Sequence, residues 1–104
     1  KVSEVNSEQR MKYHVAAVFA NNFTNLMYVI ADEYLERQGL DFKNLIPIIR
    51  ETTDRLNIKR PKDVQTGPAK RGDIKVIEKH LSMLDNDQIK SVYKKLSEFI
   101  MTEL

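Results

Sequence analysis

Residues 14–31, HVAAVFANNFTNLMYVIA, set the class of fold for this chain. They form the most apolar run in an otherwise polar sequence. Polar residues are set into it where a plain core helix carries Leu or Ala. The pattern predicts the centre of a long helix buried on most sides. Upstream, Asn6 followed three residues later by Gln9 resembles a capping box, with Asn as the cap. Downstream, Gly39 fits the left-handed position that ends a helix. The first helix is therefore expected over 7–38. At 1.5 Å per residue such a rod spans about 45 Å, more than a small domain needs. Other helices must wrap it, or a second chain must, or both.

The rest of the chain reads as shorter helices. Gly39-Leu40-Asp41 is a turn, and Asp41 is placed to cap a second helix carrying Phe42, Leu45, Ile46, Ile48, Ile49 and Leu56. Pro47 lies past its first turn and predicts an irregular start or a kink, because proline has no backbone donor. That helix should end near Asn57. Residues 58–73, IKRPKDVQTGPAKRGD, hold two of the three prolines and two of the three glycines. Pro61-Lys62-Asp63-Val64 suits a short helical turn and Gln65-Thr66-Gly67-Pro68 a tight loop. Asp73 is the expected cap of a third helix with Ile74, Ile77, Leu81 and Leu84 on one face. Asp85 is the expected cap of a fourth, with Gln88 in the capping-box position. The fourth helix is expected to bury Ile89, Val92, Tyr93, Leu96, Phe99 and Ile100. No segment alternates as a strand does.

Composition narrows the function classes. One domain is expected from 104 residues. Few Gly and Pro argue against an all-β fold. The absence of Cys excludes disulfides and thiolate metal sites and fits a reducing compartment, so a cytoplasmic location is expected. A net charge of +2 gives no electrostatic case for nucleic acid or an anionic membrane. Asp32 and Glu33 close the best candidate for a membrane span. There is no Walker loop, no GxGxxG and no HExxH. His14 and His80 are the two histidines, too few for a His-rich metal site, and His80 sits mid-helix as a structural residue. The chain opens on Lys1-Val2-Ser3, without initiator Met or signal peptide, and reads as a piece of a larger protein.

Two places carry candidate chemistry. On an ideal α-helix, at about 100° per residue, His14, Asn21, Asn25 and Asp32 fall within about 20° of one line. They either face a cleft, where His14 transfers or polarises a proton and Asn orients a substrate, or they bond within the core. The second place is 65–73. Thr66, Lys70 and Arg71 beside Gly67 and Gly72 suit an anion or carboxylate site, with Arg71 as the bidentate fork. Alternatively Asp73 caps the next helix and the cations are solvated. The tripeptide Arg71-Gly72-Asp73 also spells an integrin-type motif, a match too short to carry weight.

The helix text from His14 to Phe23, and the loop from Gln65 to Asp73 with His80-Leu81 behind it, resemble one family. These are the Rossmann-like NADP-oxidoreductase-type proteins whose C-terminal half is a domain of unknown function. The resemblance runs from about Val5 to Phe99. It implies an all-α fold, a helical bundle around one long central helix like the C-terminal domain of 6-phosphogluconate dehydrogenase. It implies a single helical domain over 1–104, often paired with a second copy as a homodimer, and an N-terminal Rossmann domain outside this chain that binds NADP or NAD. The chain alone is expected to bind no cofactor. Its partners are then that Rossmann domain, a second copy and an unidentified small molecule, with no metal, nucleic acid or membrane. By motif position, the resemblance points to His14 and Asn22 as catalytic residues and to Asn21, Thr66, Gly67 and Arg71 as substrate-binding. Pro68, Gly72 and Asp73 would shape the loop. The chain departs from related β-hydroxyacid dehydrogenases at Val18, where they place a catalytic Lys four residues before the helix Asn. Two functions follow: a dimerisation and substrate-cleft domain of an NAD(P)-dependent oxidoreductase, or a non-catalytic dimerisation or regulatory module of a nucleotide-sensing protein.

Overall fold

The computed structural model describes residues 6–104, and among them the fold is all-α with no strand. The described chain divides into two compact units, Lys1–Ile48 and Ile49–Leu104.

The first unit is built on the expected long helix. Asn6 Oδ1 accepts from the Gln9 amide at 2.8 Å, and Gln9 Oε1 accepts from the Asn6 amide at 3.1 Å. This reciprocal box satisfies two of the amides that a helix start leaves unpaired. Helix α1 (Ser7–Ala17) then continues without a break through a π-helical segment (Val18–Phe23) into α2 (Thr24–Arg37). At the far end Gly39 has φ 73°, with Leu40 N donating to Leu35 O at 2.8 Å and Gly39 N to Glu36 O at 3.1 Å. These two bonds are the Schellman ending that a left-handed glycine allows. Asp41 caps as expected, its Oδ1 accepting from the Lys43 amide at 2.9 Å, but the segment it opens is a 3-10 turn (Phe42–Leu45). Only after that turn does α3 (Ile46–Arg55) begin, with Pro47 in its first turn, where a missing donor costs nothing.

Burial of the long helix is not as expected. No residue of α1, the π segment or α2 is buried, and Phe19 is 66% exposed. Within its unit the helix is met by the 3-10 turn, where Tyr28 and Phe42 pack edge to face with ring centroids 6.2 Å apart. One four-residue turn is too short to cover a rod of this length.

The second unit holds the buried core. A 3-10 turn (Pro61–Val64) falls where the sequence predicts a short helical turn. The following stretch, expected as a tight loop, contains a helical turn, α4 (Pro68–Arg71). Pro68 presets its first residue, and Gly72, at φ 69°, ends it. Helix α4 packs against both α5 (Ile74–Met83) and α6 (Asp87–Glu103). At that junction Ala69 (6% exposed) and Ile77 (8%) are the buried apolar residues. Asp73 caps α5 as expected, its Oδ1 accepting from the Val76 amide at 3.2 Å. The cap of α6 is Asn86 rather than Asp85. Leu84 and Asn86 are extended, the helix starts at Asp87, and Asn86 Oδ1 reaches the Ile89 amide at 2.9 Å. The apolar faces are also narrower than expected. Ile74, Leu96 and Phe99 are exposed, Phe99 at 62%, while Ile89, Val92, Tyr93 and Ile100 are half-buried.

Candidate functional site

The candidate residues of the long helix sit on and beside its π segment. His14 lies in the last turn of α1, and Asn21 and Asn22 lie in the π segment itself. All three are exposed, and among the described residues none makes a side-chain hydrogen bond within the chain. The reading in which these polar groups are satisfied inside a core is therefore not the one observed. The single-line stripe assumes α geometry throughout, and the π segment departs from that geometry. A π turn closes its hydrogen bonds over five residues instead of four, so residues beyond it lose the α-helical phase that aligned His14 with Asn21, Asn25 and Asp32. Thr24, which follows the segment, donates from Oγ1 to the Phe19 carbonyl five residues back at 3.4 Å. Phe19 and Phe23 pack edge to face inside it, 5.3 Å between centroids. The π turn thus presents two adjacent exposed amides on a backbone that departs from α geometry. Such turns are frequent at functional sites.

The loop residues divide between two cavities of the second unit. Thr66 opens onto a cavity of about 300 Å³ that it shares with Gln65, Arg55 and Lys59. Arg71 and Gly72 line another, of about 410 Å³, with Lys70, Ile100 and Met101. Thr66 and Arg71, grouped by the sequence as one candidate anion site, line different cavities. Gly67, at φ 108°, precedes α4, whose last residue is Arg71. Gly72 N donates to Ala69 O at 3.1 Å and Asp73 N to Pro68 O at 2.8 Å, which closes α4. Asp73 uses its carboxylate in the α5 cap, and Lys70 Nζ donates to the Leu104 carbonyl at 2.8 Å. Among the described residues Arg71 is in no ion pair.

Arg55 and Lys59 are absent from the sequence-based candidates. Their signal was present: two cations four residues apart at the end of an apolar helix. Nothing in the spacing alone ties them to Thr66. His80 and Tyr93 form the remaining polar pair, with Nδ1 2.8 Å from the phenol oxygen and the rings edge to face. Burial pushes the Tyr93 phenol above its ordinary value of 10.0. Among the described residues no three His, Asp or Glu side chains converge as metal ligands, and no helix is long and apolar enough to cross a membrane.

Comparison with known proteins gives the family. A search of curated proteins finds no match. The crystal structure of a "putative NADP oxidoreductase" from Bacteroides fragilis is 45% identical in sequence and superposes with a TM-score of 0.90. The match covers 93% of this chain and 38% of that protein, so the chain spans well under half the length of its relative. Residues 1–100 match the family described as domain of unknown function DUF2520, and the chain belongs to that family.

Proposed function

We propose that this chain is the helical dimerisation and substrate-cleft domain of an NADP-dependent oxidoreductase. The observation that carries the reading is the 45% identity, over 93% of the chain, to a relative named as an NADP oxidoreductase. In this reading the cofactor belongs to a Rossmann domain elsewhere in the full-length protein. The three glycines of this chain, at 39, 67 and 72, lie singly, so it has no glycine loop on which to seat a pyrophosphate. NADP supplies hydride chemistry when bound to that other domain.

The roles of this chain's residues follow from their chemistry. His14 is the proton-transfer or polarising group, since an imidazole exchanges protons near neutral pH. Asn22, with Asn21 beside it, orients the substrate through its amide. Thr66 contributes a hydroxyl in one cavity, and Arg71, in another, a cation for an anionic group. The exposed apolar side chains of the long helix, Met11, Val15, Phe19 and Phe23, are the surface a second copy would cover.

The test compares NADPH binding by the full-length protein and by residues 1–104 through the fluorescence of the reduced cofactor. Saturable tight binding by the 104-residue chain alone overturns the division of roles. Turnover with NADPH is then screened on 2-oxo acids, imines and aldehydes. His14→Ala should lower turnover by about 10²–10⁴-fold, the range for loss of a general acid or base, without lowering the melting temperature.

A second reading is favoured by Val18, an apolar residue at the position where related dehydrogenases hold a catalytic lysine. It makes the chain a non-catalytic dimerisation module of a nucleotide-sensing protein. NADPH binding by the full-length protein with no turnover on any substrate class supports that reading.

A further inference from the structure

The cavity that Thr66 shares with Arg55 and Lys59 has the parts of a small-anion site. Helix α3 ends at Arg55 and the chain goes on through one further turn. Ile58 N and Lys59 N both donate to the Arg55 carbonyl, at 3.0 and 2.9 Å. This tight turn sets the two cations into the same cavity wall. The 3-10 turn Pro61–Val64 then brings Gln65 and Thr66 to the same cavity. Ile58 and Val64 supply apolar lining.

The polar groups are available. Gln65 Nε2 donates to the Thr66 carbonyl at 3.1 Å, which fixes the amide beside the cavity. The Thr66 hydroxyl makes no hydrogen bond among the described residues. Arg55 pairs with Glu51 at 3.3 Å, but both side chains are exposed, and such pairs are weak enough for a competing carboxylate to displace. Lys59 is in no ion pair among the described residues. Asp63 in the lining and Glu51 on Arg55 offset the two cations, so a carboxylate binds there by taking the place of Glu51. A volume of about 300 Å³ lies at the lower end of the range for small-molecule pockets.

We infer that this cavity binds a small organic carboxylate, held by Arg55 and Lys59 with the Thr66 hydroxyl as a third donor and its apolar stem on Ile58 and Val64. The inference rests on the proposed reading of Thr66 as a substrate contact, and it names Arg55 and Lys59, rather than Arg71, as the cations that act with it.

The experiment titrates sodium butyrate into the full-length protein carrying labelled Ile and Val methyl groups, with sodium chloride at equal ionic strength as the control. The expected result is a saturable shift of the Ile58 and Val64 methyl resonances. Arg55→Gln and Lys59→Gln should each weaken it at least tenfold, and Arg71→Gln should leave it in place. Unchanged methyl spectra elsewhere show that the variants are folded. No saturable shift, an equal shift with chloride, or a response that survives the double substitution overturns the inference. A response lost only in Arg71→Gln also overturns it, while leaving the substrate role of Arg71 standing. Butyrate binding at Ile58 and Val64 without any NADPH turnover supports the carboxylate site and counts against the oxidoreductase reading alone.

Discussion

At the scale of single residues, backbone geometry and one phenol make the sharpest predictions. Gly72 ends α4 at φ 69°, and a Cβ built there meets nothing within 4 Å. Gly72→Ala therefore adds no clash, and its cost is that of a left-handed L-residue, about 1–2 kcal/mol. A urea titration should show the midpoint fall by that equivalent with the slope unchanged, and an unchanged midpoint would mean that Gly72 is not held left-handed. Tyr93 predicts a pH effect. Burial raises its value in the folded state above the ordinary 10.0, so the folded protein holds the phenol proton more tightly than the unfolded one. The associated stability is complete below the unfolded value and is lost as pH rises through the folded value. Midpoints measured from about pH 9 to about pH 11 should fall less in Tyr93→Phe than in the parent protein. Equal declines would show that the phenol does not carry the effect.

At the scale of elements, the caps separate what each end of a helix needs. Asn86 Oδ1 accepts from the Ile89 amide at 2.9 Å, and Asp85 makes no cap bond. Asn86→Ala should cost about 0.5–2 kcal/mol, the range for loss of a cap, and Asp85→Ala close to nothing. Denaturant midpoints of the two variants compared side by side check this, and a larger loss at Asp85 would reverse the assignment. The π segment is the other lesson at this scale. Its text, VFANNF, reads as ordinary helix by apolar spacing, because spacing rules assume 3.6 residues per turn throughout. A wider turn shifts which residues share a line, so α-helical spacing does not carry across it to Asn25 and Asp32.

At the scale of the molecule, the exposed apolar helix is the feature that most needs a partner. Met11, Tyr13, Val15, Phe19 and Phe23 are all exposed along one continuous helical run. If a second copy covers them, Phe19→Glu removes about 1.5–3 kcal/mol of burial and adds a charge that the interface must desolvate. Light scattering at micromolar concentration should then give the dimer mass for the parent protein and the monomer mass for the variant. A parent protein that is already monomeric overturns the dimer. The apolar spacing of residues 14–31 made this helix legible, but not its covering, since hydrophobicity names what must be buried without naming by what.

The helices, their order and most of their ends are legible in the sequence because their causes are local. The Asn6–Gln9 box, Gly39, Asp41, Asp73 and the proline-led turn at 61–64 act within about one helical turn of themselves, so adjacent residues suffice to predict them. The arrangement of the candidate site has causes of longer range. Thr66 lines one cavity with Arg55 and Lys59, and Arg71 lines another. Ile77 is buried and Ile74 exposed on the same helix because α4 packs against part of the apolar face of α5. Periodicity shows that a face is apolar; how much of it is covered, and which cations share a cavity with Thr66, depends on contacts between segments far apart in the chain.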